Sequence, residues 1–188
     1  RGKLARLVES GIALGRLHKR DELLDLTLSS IGELAANQAC VILIKSEEGS
    51  LAPVRQQGLQ FNWSDEIDLS QPHEQSCLLG RVTQAAEIQV ITQEDNLSDF
   101  LETSRWLTLQ TEAGQGIRSL VAVPMLNSDG AVRGVVVVIN AVDPLSNSLE
   151  NFDKNDIQFV EALTTQAAVA MEGSEDALCY GRFDVAQT

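Results

Sequence analysis

The chain has 188 residues, with 14 basic against 27 acidic side chains and a formal net charge of −13. Its length and its 44% hydrophobic content are those of one ordinary soluble globular domain. The longest apolar runs fall far short of the ~18 residues that a membrane-spanning helix requires, and the negative charge repels phosphate backbones. We therefore predict a cytoplasmic protein that binds neither membrane nor nucleic acid. Because the sequence starts at Arg1 without a signal segment, we expect it to be part of a longer polypeptide.

The charge is unevenly distributed along the chain. Residues 1–20 hold six basic residues and one acidic residue, a net charge of +5, whereas residues 141–188 hold nine acidic and two basic residues, a net charge of −7. Two interpretations are open. Either both ends are solvated helix faces with a chance bias, or the terminal helices lie side by side, within one chain or across a dimer.

The cysteines and histidines form no pattern of a metal or disulfide site. Cys40, Cys77 and Cys179 are odd in number, widely spaced and free of any Cys-x-x-Cys pair, while His18 and His73 stand alone. This usage predicts a reducing compartment and no metal ligands.

Two helices are predicted first. Apolar residues at helical spacing indicate an amphipathic helix from Leu4 to Leu17, and Asp21 is expected to cap a second helix that runs to Ala35. The patterns that follow predict, in order, two strands of a hairpin, a short strand, a helix and another strand, at residues 39–45, 51–57, 67–69, 76–86 and 88–91. The polar stretch that follows the hairpin, residues 58–73, is expected to be irregular surface apart from the short strand 67–69.

The clearest local pattern comes late in the chain. Two apolar runs, 117–126 and 131–142, are joined by a turn that ends in Asp-Gly, which predicts a tight hairpin of central strands. Before it, 92–116 is polar and turn-rich and is expected to be a long loop. After it, Asp153 is expected to cap a final apolar helix, with Asp156 at its N3 position. This order of elements predicts an α+β domain with helices packed on one face of an antiparallel sheet.

No catalytic motif is present. The sequence lacks Gly-x-Ser-x-Gly, a phosphate-binding Gly-x-x-x-x-Gly-Lys loop, Gly-x-Gly-x-x-Gly and His-Glu-x-x-His. We therefore predict no catalytic residue, no metal site and no enzyme activity, and a role in binding or interaction instead. A sheet face under the 92–116 loop would form an apolar cavity for a small molecule, unless the loop merely covers a sheet edge.

Several segments, taken in order, resemble the GAF domain, a regulatory module that binds small molecules in phosphodiesterases, adenylate cyclases, histidine kinases and enhancer-binding regulators. The segments are Leu79–Val82, Ile88–Ile91, Asp95 with Phe100, Gly116–Met125, Gly134–Asn140 and the closing helix Phe152–Glu172. The resemblance covers roughly residues 4–173. It implies a lead-in helix (1–20), the GAF domain (21–173) and a C-terminal helix extension or tail (174–188).

The resemblance also implies a six-stranded antiparallel sheet with the N- and C-terminal helices on one face. The other face would carry a ligand pocket under loops and short helices, with no cofactor required. By position, the expected ligand-binding residues are Val90, Ile91, Asp95, Leu97, Phe100, Trp106, Leu120 and Ala122. Asp95 or backbone amides would be the polar anchors.

The family motif of cyclic-nucleotide-binding members is only partly present. Asn140, Phe152 and Asp156 match it, but Ala141 replaces the motif's Lys and Ile157 replaces its Glu. The Lys–Asp ion pair of those members therefore cannot form, which counts against cyclic-nucleotide binding. No cysteine is followed by His, as pigment-binding members require.

Together these features predict a non-catalytic sensory module that controls an attached output domain, such as a cyclase, phosphodiesterase or kinase. We expect a homodimer formed through the terminal helices and an unidentified small-molecule ligand. One alternative is a pure dimerisation module whose pocket is filled by its own side chains, with Phe100 or Trp106 as the plug. A lesser alternative is a free methionine sulfoxide reductase, for which only Cys77 lies in the appropriate stretch.

Overall fold

The computed structural model describes residues 2–16, 19–100 and 108–187. Helices α1 to α5 cover Gly2–Arg16, Arg20–Leu34, Pro72–Ser76, Leu78–Ala85 and Lys154–Gln187. Strands β1 to β7 cover Asn37–Lys45, Ser50–Gln57, Ile67–Asp68, Gln89–Ile91, Leu120–Leu126, Val132–Val142 and Leu149–Glu150. Within these ranges no helix is both long and apolar enough to cross a membrane. Leu17, the predicted end of the first helix, and His18 lie outside the described residues.

The strands form one antiparallel sheet in the order β3-β2-β1-β6-β5-β4, and the two-residue β7 pairs with the end of β6. This confirms the predicted α+β class and its six-stranded sheet. The predicted hairpin of β5 and β6 is present, and Gly130 in its turn has a φ of +85°, which glycine adopts without steric cost. Strand β6 pairs with both β1 and β5, so its apolar run lies at the centre of the sheet.

Both faces of the sheet are buried. Because side chains alternate along each strand, neighbouring residues contribute to two separate clusters, one on each face. The helix-face cluster joins the sheet to α2 and α5; among its members are Leu24, Ile31, Cys40, Ile42, Val121, Val123, Met125, Val136, Val138, Phe152, Val160, Leu163, Ala167 and Met171. The opposite-face cluster joins the sheet to α4 and the segment before β3; among its members are Val41, Leu43, Leu51, Trp63, Ile67, Leu78, Leu79, Val82, Ile91, Leu120, Ala122, Val135, Val137 and Ile139. The sheet is therefore the middle layer of three.

The N-terminal helix packs beside the C-terminal one within the chain. Helix α1 contacts both α2 and α5. On α1, Arg6 lies 3.8 Å from the carboxylate of Glu33, and the Lys3 ammonium lies 5.8 Å from the ring centroid of Phe159 on α5. Of the two interpretations of the charge pattern, the side-by-side one describes this chain. The ion pair is exposed on both sides, so its contribution to stability is small.

Asp21 does not cap α2, contrary to the prediction. The helix begins at Arg20, Lys19 is its N-cap residue, and the Lys19 side chain makes no capping hydrogen bond. Asp21 lies in the first turn, where its carboxylate is 2.9 Å from the Arg55 guanidinium, which also bonds to Asp25 at 2.9 Å. The cation on β2 thus binds the two carboxylates on one face of α2, a contact that sequence spacing does not show.

The helix predicted over 76–86 is present as α4, and the separate short helix α3 precedes it in the stretch that was expected to be irregular. Residue Cys77 between them is extended, with φ −79° and ψ 172°. The two helices cross so closely at Gly80 that an added Cβ would collide with the Glu74 carbonyl oxygen. A glycine is needed at this crossing, where α3 packs on α4 and α4 packs on the sheet.

Candidate functional site

Asn140, the first residue of the family motif, is a fully buried hub of hydrogen bonds. Its Oδ1 accepts hydrogen bonds from the backbone amides of Arg118 (2.6 Å) and Ser119 (3.2 Å). Its Nδ2 donates to Gln38 Oε1 (3.0 Å) and to the Gly116 carbonyl (2.8 Å). These bonds join the end of the 92–116 segment to β5, β6 and β1. Both polar atoms of the Asn140 side chain have protein partners, so in this arrangement the side chain stabilises the fold and is not available to a ligand.

The other two motif residues also serve the fold. Phe152 is buried in the helix-face cluster. Asp153 Oδ1 accepts a hydrogen bond from the Asp156 amide (2.7 Å), and Asp156 Oδ2 accepts one from the Asp153 amide (3.1 Å). This reciprocal capping box confirms the predicted start of the last helix. Burial of the Asp156 carboxyl raises its pKa above its usual range, although the Lys3 charge acts in the other direction.

Five of the predicted ligand-binding residues come together on the sheet face opposite the terminal helices. Ile91, Leu120 and Ala122 are completely buried in the opposite-face cluster. Leu97 and Phe100 are half-buried and pack against it from the 3-10 turn Leu97–Asp99 and the residue that follows it. Five of the predicted residues thus belong to the opposite-face cluster or to the segment that covers this cluster.

Of the remaining three predicted residues, the two that the structure describes are placed differently. Val90 alternates with Ile91 along β4 and so packs, half-buried, against the helix-face cluster. Asp95, the expected polar anchor, is exposed, and its Oδ2 accepts hydrogen bonds from the amide (2.8 Å) and the hydroxyl (3.1 Å) of Thr92. Trp106 lies outside the described residues.

Trp63 is the aromatic side chain that fills this face among the described residues. Its side chain is only 5% exposed and belongs to the opposite-face cluster, although we expected residues 58–73 to be surface. Gln56 holds its backbone in place, because Gln56 Oε1 accepts from the Trp63 amide (2.7 Å) and Gln56 Nε2 donates to its carbonyl (2.8 Å). Composition alone could not reveal this, since one aromatic residue in a polar stretch has no periodicity.

Two surface clefts with volumes in the range of small-molecule sites lie away from these residues. One, of about 340 Å³, is lined by Phe61, Asn62, Trp63, Ser64, Asp65, Thr108, Leu109 and Gln110. The other, of about 360 Å³, lies between the β1–β2 turn and α4 and is lined by Lys45, Glu48, Gly49, Leu69, Ser70, Gly80, Thr83 and Gln84. None of the seven predicted ligand-binding residues that the structure describes lines either cleft. The buried ones among these predicted residues are instead covered by the α4 side chains Leu78, Leu79 and Val82.

The two cysteine side chains that the structure describes are buried at separate places. Cys40 belongs to the helix-face cluster, and burial raises the pKa of its thiol to about 12. Cys77 lies between α3 and α4, where its Sγ donates to the His73 carbonyl at 3.0 Å. In the described part of the chain, no group of three or more His, Cys, Asp or Glu side chains could hold a metal ion.

The family model for the GAF domain matches residues 19–171. The chain belongs to the GAF domain family. This match spans the sheet, α2 to α4 and the first half of α5, so it agrees with the resemblance in the sequence and with the observed fold. None of the curated proteins compared with the chain matches it.

Solved structures share this GAF fold at low sequence identity. The GAF domain of an Acinetobacter phosphoenolpyruvate-protein phosphotransferase is 18% identical, with a TM-score of 0.69, and 94% of this chain and 96% of that one are covered. The free methionine-R-sulfoxide reductase of Neisseria meningitidis, solved with its substrate, is 19% identical (TM-score 0.66; 91% and 89% covered). The GAF domain of a sensor histidine kinase from Bacillus halodurans is 18% identical (TM-score 0.60; 88% and 99% covered). At such identities the similarity establishes the fold alone.

Proposed function

We propose that this chain is a non-catalytic regulatory GAF module that forms a homodimer through α1 and α5 and so controls an output domain attached to it. The observation that carries the proposal is an apolar stripe on α1. Leu4, Val8 and Ile12 recur every four residues on one side of the helix and are 65%, 60% and 52% exposed. Exposed apolar side chains in such a row mark a surface that another helix covers.

The inward side of α1 is already used within the chain. Leu7 packs against the helix-face cluster, and the Ser10 and Ser30 hydroxyls are 3.1 Å apart. At Gly11 an added Cβ would lie 2.9 Å from the Gln166 side-chain amide, so α1 and α5 are in close contact there. The exposed stripe is therefore a second apolar side of α1.

Helix α5 extends this surface. Its Val169 is 60% exposed, whereas Val160, Leu163, Ala167 and Met171 of the same helix are buried in the helix-face cluster. The outer side of the α1–α5 layer thus offers apolar side chains from both terminal helices. In the proposed dimer, the same surface of a second copy covers it, and both copies bury side chains that the single chain leaves in water.

Control of an output domain is supported by the family to which the chain belongs. GAF domains are sensory and regulatory modules of multidomain signalling proteins, and similar structures come from a phosphotransferase and a sensor histidine kinase. In this proposal, two arrangements of the paired helices are in equilibrium, and any ligand acts only through its different affinity for the two. The output domain attached to the paired helices then responds to their arrangement.

The dimer is tested with a variant of the stripe. Val8→Glu places a charge in the proposed interface, and we expect light scattering to show a dimer for the unchanged protein and a monomer for the variant. Leu145→Glu is the matched control, because Leu145 is 95% exposed and belongs to the loop between β6 and β7. A monomeric unchanged protein at high concentration, or a variant that stays dimeric, would contradict the proposal.

Small-molecule binding at the opposite-face cluster is the second candidate. Leu97 and Phe100 cover that cluster while remaining half-exposed, so this segment could lift without unfolding the sheet. The filled interior supports the self-filled dimerisation module over this candidate in the observed arrangement. Calorimetry with cyclic AMP and cyclic GMP tests it. We expect neither to bind more tightly than ~10 μM, about 7 kcal/mol, since Ala141 replaces the Lys of the binding motif.

A further inference from the structure

Helix α5 is 34 residues long, and the part of it shown to pack on the sheet ends well before its C-terminus. Val160, Leu163, Ala167 and Met171 are buried in the helix-face cluster. Met171 is the last buried side chain of α5 in the part of the chain whose side chains are described. The next residue, Glu172, is half-buried.

Glu172 is bound by the tip of the β5–β6 hairpin. Its Oε1 accepts a hydrogen bond from the Ser128 hydroxyl (2.7 Å), and its Oε2 accepts one from the Ser128 amide (3.2 Å). Both carboxylate oxygens are therefore held by one residue that is 44 positions away in the chain. Hydrogen bonds to a charged acceptor are stronger than those between neutral groups.

The turn that carries Ser128 is held in shape by its own hydrogen bonds. The Asn127 amide donates to the Ala131 carbonyl (2.8 Å), and the Gly130 amide donates to the Asn127 carbonyl (2.9 Å). Asp129 Oδ1 accepts from the Ala131 amide (3.0 Å). The two Ser128 donors are thus presented to Glu172 by a preorganised turn, which lowers the entropy cost of the contact.

The same hairpin joins both faces of the sheet to this contact. On β5, Leu120 and Ala122 belong to the opposite-face cluster, while Val121 and Val123 belong to the helix-face cluster. A change in the packing of either face therefore acts on the strand that leads to the turn. A packed sheet transmits such shifts because it has little free volume.

We propose that Ser128 and Glu172 form a tether that holds the exit of α5 against the domain, so that the β5–β6 turn determines whether the helix beyond Glu172 is held or released. The tether itself is a property of this chain. Its role in signalling rests on the proposed function, in which α5 leads to the output domain.

Hydrogen exchange on the full chain tests the tether. Glu172→Ala removes the acceptor, and Ser128→Asp places a carboxylate against that of Glu172. We expect both variants to raise the exchange rates of backbone amides between residues 168 and 178 by about threefold, the effect of losing one modest hydrogen-bonded contact. Amides in β1 and β6 should keep their rates. Glu161→Gln, an exposed change on the same helix, is the control and should alter neither region.

A double-variant cycle separates the tether from general loosening of the helix. If Ser128 and Glu172 act together, Glu172→Ala adds no further increase to the exchange rate in a Ser128→Asp background. Independent effects that multiply, or unchanged rates in both single variants, would overturn the proposal. Light scattering of the same samples reports the dimer separately. Faster exchange without a change in mass supports the tether proposal and leaves the dimer proposal untouched. Loss of the dimer in the Val8→Glu variant bears on the dimer proposal and leaves the tether proposal untouched.

Discussion

At the scale of single residues, Asn140 shows how a family-motif position can stabilise the fold. Its backbone has a φ of +59°, in the left-handed region, and its amide makes four buried hydrogen bonds. We expect Asn140→Gly to lower the free energy of unfolding by about 3 kcal/mol, because buried partners lose their bonds. Asn140→Ala should cost about 1 kcal/mol more, since alanine is strained at this φ.

Urea unfolding measures both variants. Asn147→Ala is the control, because Asn147 has a φ of +58° but is exposed, so it isolates the backbone strain. Equal stabilities of Asn140→Gly and the unchanged protein would show that the four bonds contribute nothing net.

The capping box at the start of α5 is a second residue-scale feature. We expect Asp153→Ala to lower the free energy of unfolding by about 1 kcal/mol, because the Asp156 amide loses the acceptor that satisfies it at the helix start. The urea midpoint measures the change. Glu161→Ala, an exposed substitution inside the same helix, should leave that midpoint nearly unchanged. An equal effect of both substitutions would refute the capping role.

At the scale of elements, the contact between β6 and β1 depends on a residue without a side chain. A Cβ at Gly134 would collide with the Leu43 carbonyl oxygen on the neighbouring strand. We expect Gly134→Ala to destabilise the domain by about 3 kcal/mol in thermal or urea unfolding, because two backbones must separate. Gly116→Ala is the matched control, since no atom lies within 4 Å of an added Cβ there. A tolerated Gly134→Ala would mean that the strands separate at little cost.

The packing of the terminal helices depends on more than the opposite charges of the two chain ends. The opposite net charges of the chain ends agree with helices that lie side by side, but Leu7, Ser10 and Gly11 also bring α1 into contact with its neighbours. Among the described side chains of α1, the Lys3 ammonium lies over the Phe159 ring of α5 and its charge acts on the Asp156 carboxyl. Salt should therefore affect this packing weakly.

At the scale of the whole molecule, the accessibility of the described thiols tests the proposed regulatory role against that of a thiol enzyme. In a Cys179→Ser variant, we expect Cys40 and Cys77 to react with Ellman's reagent only on the timescale of unfolding, because both side chains are buried. At pH 8 the Cys40 thiol also stays protonated, since burial raises its pKa to about 12.

Absorbance at 412 nm, with and without urea, follows this reaction. Rapid labelling of Cys77 in the native protein would show a thiol open to solvent and would favour the methionine sulfoxide reductase interpretation. Reduction of free methionine-R-sulfoxide with a dithiol reductant is the direct assay, and we expect none.

The sequence by itself determined the elements and their layering. Local patterns such as the Asp-Gly turn, the branched runs of β1, β5 and β6, and the Asp153–Asp156 capping box depend on neighbours along the chain, so they could be predicted. The order of these patterns also indicated the GAF family. The short helix α3 could not be predicted, because its position depends on how it crosses α4 at Gly80.

Only the tertiary structure decided how the predicted pocket is occupied. Val90 and Ile91 are neighbours in sequence, yet the pleat sends them to opposite faces. Trp63 comes from a polar stretch and still fills the interior, and Asn140 is satisfied by partners from as far as 102 positions away. Long-range packing and hydrogen bonding make these assignments, and they depend on three-dimensional proximity that a linear pattern does not contain.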